Sequence, residues 1–212
     1  MIVEQLFSSP VYNSSIDIDL KPYLDLCLKE EDHFKIDYLG KEVNKVSGAS
    51  KELYILEKEE FKDLKNEILK HTKSYTNDIL KYSNDFKITT SWISFTDPGC
   101  SSLLHRHQNS IFSGIVYLQT DEKSGNLMFE NYHNLGDFSL NRKEHNILNS
   151  ELWHYTPFNN KIILFPAKLF HKIDTNNSNI KRVSIAFNLI PYGTFGQGDS
   201  TLTIPEVVKH EK

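Results

Sequence analysis

Cysteine is scarce: the 212 residues hold two, Cys27 and Cys100, in unrelated contexts. That excludes a disulfide framework and leaves a cysteine-based zinc site without its ligands. No sign of charge dominates either, since 24 basic and 28 acidic side chains give a net charge of -4 without a long block of one sign. A dedicated nucleic-acid binder needs a basic footprint to neutralise phosphates, and this chain has none. No apolar run approaches the ~20 residues needed to cross a bilayer. The opening stretch from Met1 to Phe7 has no basic leader and no long apolar run, so a cleaved export signal is not expected. Gly-x-Gly-x-x-Gly, P-loop and Gly-x-Ser-x-Gly patterns are all missing, which removes support for nucleotide-binding and serine-hydrolase chemistry. The expectation is a soluble, cytoplasmic protein without a membrane partner.

What is present points to a filled core. Apolar residues make up 39% and charged residues 25%, a balance that disordered chains do not show. The length suits one domain and is short for two with a linker. We therefore expect a single domain over 1–212, with residues 1–84 as a helical outer layer and 85–204 as a β core. Leu20, Tyr23, Leu24, Cys27 and Leu28 recur at helical spacing and predict a helix from about 20 to 31, with Asp19 as its N-cap and Pro22 in its first turn. A longer stripe of Phe61, Leu64, Ile68, Leu69, Thr72, Tyr75, Ile79 and Leu80 predicts a second helix over about 58–81. Residues 32–56, with Gly40, Gly48 and Ser50, read as loop.

After Asn84 short β-prone runs follow one another: Phe86 to Phe95, Ser102 to His107, Ile111 to Gln119, Asn126 to Glu130, Ile162 to Phe165 and Arg182 to Ile190. Turn signals such as Asp97-Pro98-Gly99, Lys123-Ser124-Gly125, Asn134-Leu135-Gly136 and Asn176-Asn177 separate them. Many short strands without helices between them predict an antiparallel sandwich or barrel, mainly β with flanking helices.

Histidines carry the chemical signal. His105 and His107 lie two apart, a spacing that in a strand puts both imidazoles on one side. His171 follows a buried-strand pattern and a Pro turn, at the start of a further strand. Two ligands on one strand and a third from a distant one make an open-sided metal site, and imidazole suits iron, zinc, copper or nickel. In Arg182 to Phe187, Arg182, Ser184 and Ala186 face one way while Val183, Ile185 and Phe187 face the other. An arginine aimed inward is costly unless it meets an anion, and its planar fork fits a carboxylate.

The pattern made by His105-x-His107, His171 and Arg182-x-Ser184 resembles that of Fe(II)/2-oxoglutarate-dependent dioxygenases. It is most similar to an oxygenase subgroup recurrent in marine bacteria and their viruses, through Ser91-Trp92, His105-x-His107-x-Asn109-Ser110 and Ser113-Gly114-x-x-Tyr117-Leu118. The likeness continues through Gly125-x-Leu127-x-Phe129, Phe165-Pro166, His171 and Arg182-x-Ser184-x-x-Phe187-Asn188, and begins as early as Leu6-Phe7-x-x-Pro10-Val11-Tyr12. The resemblance implies a double-stranded β-helix (jelly roll), with Fe(II) held by His105, His107 and His171. It implies no catalytic residue beyond the metal ligands. The far carboxylate of the cosubstrate 2-oxoglutarate would go to Arg182, helped by Ser184 and Tyr117.

The wider superfamily has a carboxylate where His107 stands. One register gives a three-histidine site; another takes His107 as the histidine and Asn109 in place of the carboxylate. Imidazole is the better ligand, which favours the first. The implied reaction uses O2 and hydroxylates a substrate with release of succinate and CO2. A jelly-roll binding protein without turnover and a cupin-type three-histidine enzyme are the alternatives, and Arg182-x-Ser184 speaks against the cupin type. A protein side chain or small molecule is favoured over nucleic acid as substrate, and a homodimer is compatible with the sequence. Trp92 is expected in the core. Trp153 and Tyr155 are expected to pack ordinarily, His33, His71 and His210 to lie at the surface, and His133, His145 and His154 to lie in a loop-like stretch over 131–160.

Overall fold

A computed structural model describes residues 2–4, 6–29, 47–131 and 140–207 of the chain. The first helix, α1 (Lys21–Lys29), starts where expected, and the Asp19 carboxylate accepts the Lys21 N–H at 3.0 Å. The second, α2 (Lys62–Lys73), is preceded by two 3-10 turns, Ile55–Glu57 and Glu59–Phe61, and runs on into a wider π turn at Ser74–Ile79. Its buried face carries Leu64, Ile68 and Thr72, continued by Tyr75. The π turn resets the helical phase, so Ile79, expected within the stripe, is 59% exposed. His71 is also not at the surface. Tyr12 Oη lies 2.8 Å from His71 Nδ1, while Glu67 Oε1 is 3.4 Å from its Nε2. His33, His133, His210 and the Asn134-Leu135-Gly136 turn fall outside the described residues.

The strands in chain order are β1 (Tyr12–Ser15), β2 (Ser47–Ala49), β3 (Phe86–Thr96), β4 (Phe112–Gln119), β5 (Leu127–Glu130) and β6 (Leu152–Tyr155). Then come β7 (Lys161–Pro166), β8 (Phe170–Ile173), β9 (Arg182–Pro191), β10 (Gly193–Phe195) and β11 (Leu202–Ile204). A six-stranded sheet has the order β1-β7-β4-β9-β3-β2 and a three-stranded sheet the order β6-β5-β8; β10 and β11 form a separate hairpin. Among the described residues every strand pair is antiparallel. This is the double-stranded β-helix that the resemblance implies, and it meets the antiparallel sandwich expected from the strand pattern.

Side-chain alternation gives the large sheet two different faces. Val183, Ile185, Phe187 and Leu189 of β9 join Val116, Ile93, Phe95, Ile162 and Leu164 and the buried sides of both helices in one apolar cluster. Gly114 belongs to this face: a Cβ there would sit 2.3 Å from Phe187 Cζ and 2.6 Å from Leu164 Cδ2, so the absent side chain makes room for the Phe187 ring. The other face carries Ile115, Tyr117, Ile163 and Phe165, which meet Leu127 and Phe129 of the small sheet in a second cluster. Between the two sheets lies the interior where the candidate site forms.

Three expectations are corrected. Residues 102–107 form no regular strand, and only His105 makes an isolated bridge, to His171. Within 131–160, expected to be loop, residues 152–155 form β6 beside β5. The first 84 residues are more than a helical layer, since β1 and β2 are the two edges of the large sheet. No helix among the described residues is long and apolar enough to cross a membrane.

Candidate active site

His105 and His171 are locked together by their main chains. His105 N–H donates to His171 O at 2.9 Å, and His171 N–H returns the bond to His105 O at 2.8 Å. His107 N–H donates to Ala167 O at 3.0 Å, which pins the next turn of the same segment. The imidazoles therefore converge although residues 102–107 are not a strand. Irregular backbone, fastened bond by bond along β8 and the Pro166 turn, does what i, i+2 alternation was expected to do.

The donor atoms of the three histidines lie within 4.8 Å of one another. His105 Nδ1 is 2.8 Å from Leu103 O, and His171 Nδ1 is 2.8 Å from Leu169 O. A carbonyl only accepts, so both Nδ1 atoms carry a proton, and in the neutral ring Nε2 is the nitrogen left to bind a metal. His107 Nε2 faces His171 Nε2 at 3.2 Å. That is the spacing of two nitrogens sharing one ion at ~2.0–2.1 Å with an angle near 100°. Burial pulls the His107 imidazole down to about 4 and the His171 imidazole down to about 3, with the other histidines pushing the same way. Both are neutral at physiological pH, the form that binds a metal.

Around the trio the walls are aromatic. Trp92 lies 5.7 Å from the His107 ring, and Phe165 meets the His171 ring edge-on at 4.7 Å. Trp92, expected in the core, stands on the interior face of β3 with Thr90 and Ser94. Its parity with those two polar residues, opposite to Ile93 and Phe95, was the available signal. Tyr155 packs on Phe129, as expected of an ordinary packing residue, whereas Trp153 is 39% exposed. His145 and His154 are exposed. Asn109 is exposed in a turn at φ 55°, a left-handed conformation that asparagine tolerates.

Deeper along the same face is a buried cation. In register, Ser184 lies between Tyr117 of β4 and Ser94 of β3, and Arg182 lies beside Thr96. Arg182, Ser184 and Tyr117 are all fully buried. Arg182 Nη1 donates to Ser184 Oγ at 3.3 Å, and the guanidinium sits over the Tyr117 ring at 4.9 Å. Arg182 Nε and Nη2 and the Tyr117 hydroxyl have no hydrogen-bond partner among the described residues. Burial pulls the guanidinium below its ordinary value and raises the Tyr117 phenol, which the Arg182 charge partly opposes. A desolvated cation with two unused donors calls for an anion with paired oxygens.

Residues 90–188 match the family model described as "Putative 2OG-Fe(II) oxygenase". No protein of curated function matches the chain by sequence. Among solved structures the chain is similar to the non-heme alpha-ketoglutarate-dependent epimerase SnoN from nogalamycin biosynthesis, at 10% identity and TM-score 0.62 over 88% of this chain and 81% of that one. It is also similar to a Pseudomonas putida prolyl-4-hydroxylase, at 11% identity and TM-score 0.57 over 86% of this chain and 94% of that one. HygX from Streptomyces hygroscopicus, solved with nickel and 2-oxoglutarate bound, aligns at 9% identity and TM-score 0.57 over 86% of this chain and 83% of its own. At such identities these likenesses speak for the fold. Residues 90–188, the stretch similar to the 2OG-Fe(II) oxygenase family, hold all three histidines and Arg182.

Proposed function

We propose that His105, His107 and His171 hold the iron, that Arg182 with Ser184 and Tyr117 binds the far carboxylate of 2-oxoglutarate, and that the enzyme hydroxylates an uncharged region of its substrate. One observation carries this reading: a fully buried guanidinium with two unpartnered nitrogens stands on the same sheet face as the ring packed against His107. The residues fit the groups. His107 and His171 are neutral, the Nδ1 atoms of His105 and His171 are fixed by carbonyls, and the cation has donors to spare for a carboxylate. The same guanidinium disfavours a cupin-type enzyme, which has no use for it.

When bound, iron and 2-oxoglutarate supply oxidation of a C–H bond by O2, with 2-oxoglutarate converted to succinate and CO2. The protein's part is positional. Leu103 O and Leu169 O hold the tautomers of His105 and His171. Trp92, Phe165 and Phe129 exclude water from the histidine rings and fix their planes. Arg182 fixes the direction in which the diacid lies, and Tyr117 donates its hydroxyl to the same carboxylate. The preference for a protein side chain or small molecule over nucleic acid rests on the net charge of -4. The organisation of the chain as one domain is part of the same proposal.

Anaerobic reconstitution tests it. Fe(II) followed by 2-oxoglutarate should give a weak visible charge-transfer band, and admitting O2 should give slow succinate formation without substrate. His171→Ala should lose tight Fe(II) binding. A His171→Ala protein that binds Fe(II) as tightly as the parent refutes the ligand assignment.

A further inference from the structure

Exposure changes along the interior face of the large sheet. Arg182, Ser184 and Tyr117 are sealed, whereas Ala186, Asn188, Thr90 and Trp92 are each half-buried although they point into the barrel. Access on the Asn188 side is therefore along β3 and β9, since Ser113 of β4 is buried there. Three strands meet there in register, Ser113 opposite Asn188 and Asn188 opposite Thr90. Their side chains are joined in one direction: Ser113 Oγ donates to Asn188 Oδ1 at 2.8 Å, and Asn188 Nδ2 donates to Thr90 Oγ1 at 3.0 Å. A bulge at Thr89 closes the row. Ile88 pairs with Leu189 and Thr90 with Asn188, so Ile88 turns to the helix-side cluster; beyond the bulge Lys87, opposite Ile190, regains the parity of Thr90 and gives its Nζ to Pro205 O.

The row has capacity left. An asparagine side chain has two N–H donors and two acceptor lone pairs, and the contacts above use one of each. The Thr90 hydroxyl accepts from Asn188 and keeps its own proton to give. The open groups are thus an N–H, an acceptor oxygen and an O–H, all held still by a cross-strand chain. From Ala186 to Asn188, the residues on this face of β9, β3, β4 and β7 are uncharged; the nearest cation on it, Lys161 of β7, lies at the Tyr117 level and gives its Nζ to Thr156 O at 2.8 Å.

We propose that Asn188 and Thr90, with Trp92 beside them, are a specificity-determining subsite for an uncharged amide of the substrate, and this rests on the reading of the site as a 2-oxoglutarate oxygenase. A substrate carbonyl accepts from Asn188 Nδ2 and Thr90 Oγ1, and a substrate N–H donates to Asn188 Oδ1. The adjoining carbon chain lies on Trp92 and reaches the metal side past His107. A carboxylate at this place would set its oxygen against Oδ1, and an ammonium would find too few acceptors. The substrate class is a peptide or another carboxamide whose oxidised C–H lies a short distance from that amide.

The test uses protein loaded with Ni(II) and 2-oxoglutarate, which cannot turn over, and three probes that share an isopropyl group: isobutyramide, isobutyrate and isopropylammonium. Dissociation constants come from saturation-transfer NMR. The amide should bind about tenfold or more tighter than either ion, and Thr90→Val and Asn188→Ala should each weaken it by about tenfold. Asn188→Asp, nearly isosteric, should reverse the preference toward isopropylammonium, a reversal that mere loss of packing does not produce. Equal binding of the three probes by the parent, or an unchanged preference in Asn188→Asp, overturns the subsite. Calorimetry of metal and 2-oxoglutarate on each sample separates the two readings. A parent that binds both but shows no amide preference sinks the subsite alone, and a parent that binds neither sinks the oxygenase site and the subsite with it.

Discussion

Arg182 has opposite roles in the free and the loaded protein. In the free protein it is a fully buried cation whose Nε and Nη2 donate to nothing, with one 3.3 Å bond from Nη1 to Ser184. An uncompensated buried charge penalises the fold, so replacing it with an apolar side chain of similar length should help the ligand-free state. In the loaded protein, on the proposed assignment, the same group would form a desolvated bidentate pair, and removing one partner of such a pair costs ~2–5 kcal/mol. At about 1.4 kcal/mol per decade, that is a roughly thirtyfold to several-thousandfold loss of 2-oxoglutarate affinity. Arg182→Met should therefore melt at a higher temperature than the parent without ligands, keep its metal, and show almost no 2-oxoglutarate binding. Arg182→Lys should recover only part of the affinity, because an ammonium cannot make the fork. Thermal melts with and without 2-oxoglutarate, alongside calorimetric titration, read both effects. Unchanged 2-oxoglutarate affinity in Arg182→Met would refute the reasoning.

Two further expectations concern other buried polar groups. Tyr117→Phe removes a buried hydroxyl without a partner, so it should stabilise the ligand-free protein by ~1–3 kcal/mol and weaken 2-oxoglutarate several-fold; equal affinity would remove Tyr117 from the pocket. His71, faced by Tyr12, Glu67, Lys70 and Asp17, is held below its ordinary value chiefly by burial, against the pull of Glu67. Below pH ~6.5 the unfolded chain takes that proton first, so stability is complete above this pH and falls as pH drops. Melting temperature should decline less between pH 7 and 5 in His71→Gln than in the parent, and an identical decline would show that His71 titrates as it does in the unfolded chain.

Where the chain is regular, its sequence was readable. The alternation in β9 separated Arg182 and Ser184 from Val183, Ile185 and Phe187, and the structure divides them in the same way. The stripes of α1 and α2 were readable for the same reason, with one periodic face against one apolar partner. Failures came where backbone bonds outside regular elements decide position. Nothing in Leu103 to Ser110 announces that His107 N–H is held by Ala167 O and His105 by His171, sixty or so residues away. The short edge strands β1 and β2 carry too few residues for alternation to register. Leu152 to Tyr155 reads as loop because three of its four side chains are exposed. Trp92 was misplaced for a different reason. A large aromatic in an apolar run looks like core, and only its parity with Thr90 and Ser94 assigns it to the polar interior.

That parity also explains how one sheet can be both scaffold and site. Among the described residues its helix-side face joins 22 buried ones into one cluster, while the interior cluster holds six. At ~1.5–3 kcal/mol for each large apolar side chain buried, most of the hydrophobic stabilisation comes from the face that has no part in chemistry. The interior face can then carry groups that destabilise the empty protein: an unpaired guanidinium, a phenol without a partner and imidazoles kept neutral by burial. Each of these becomes favourable only when a ligand supplies the missing partner, so the cost of the empty site returns as affinity. Strand alternation makes this division possible, because a residue shift by one would exchange the two faces and place Arg182 among the helices. The bulges beside Tyr117 and Thr90 fall at the two ends of the polar run, where the register can change without disturbing the rows between them.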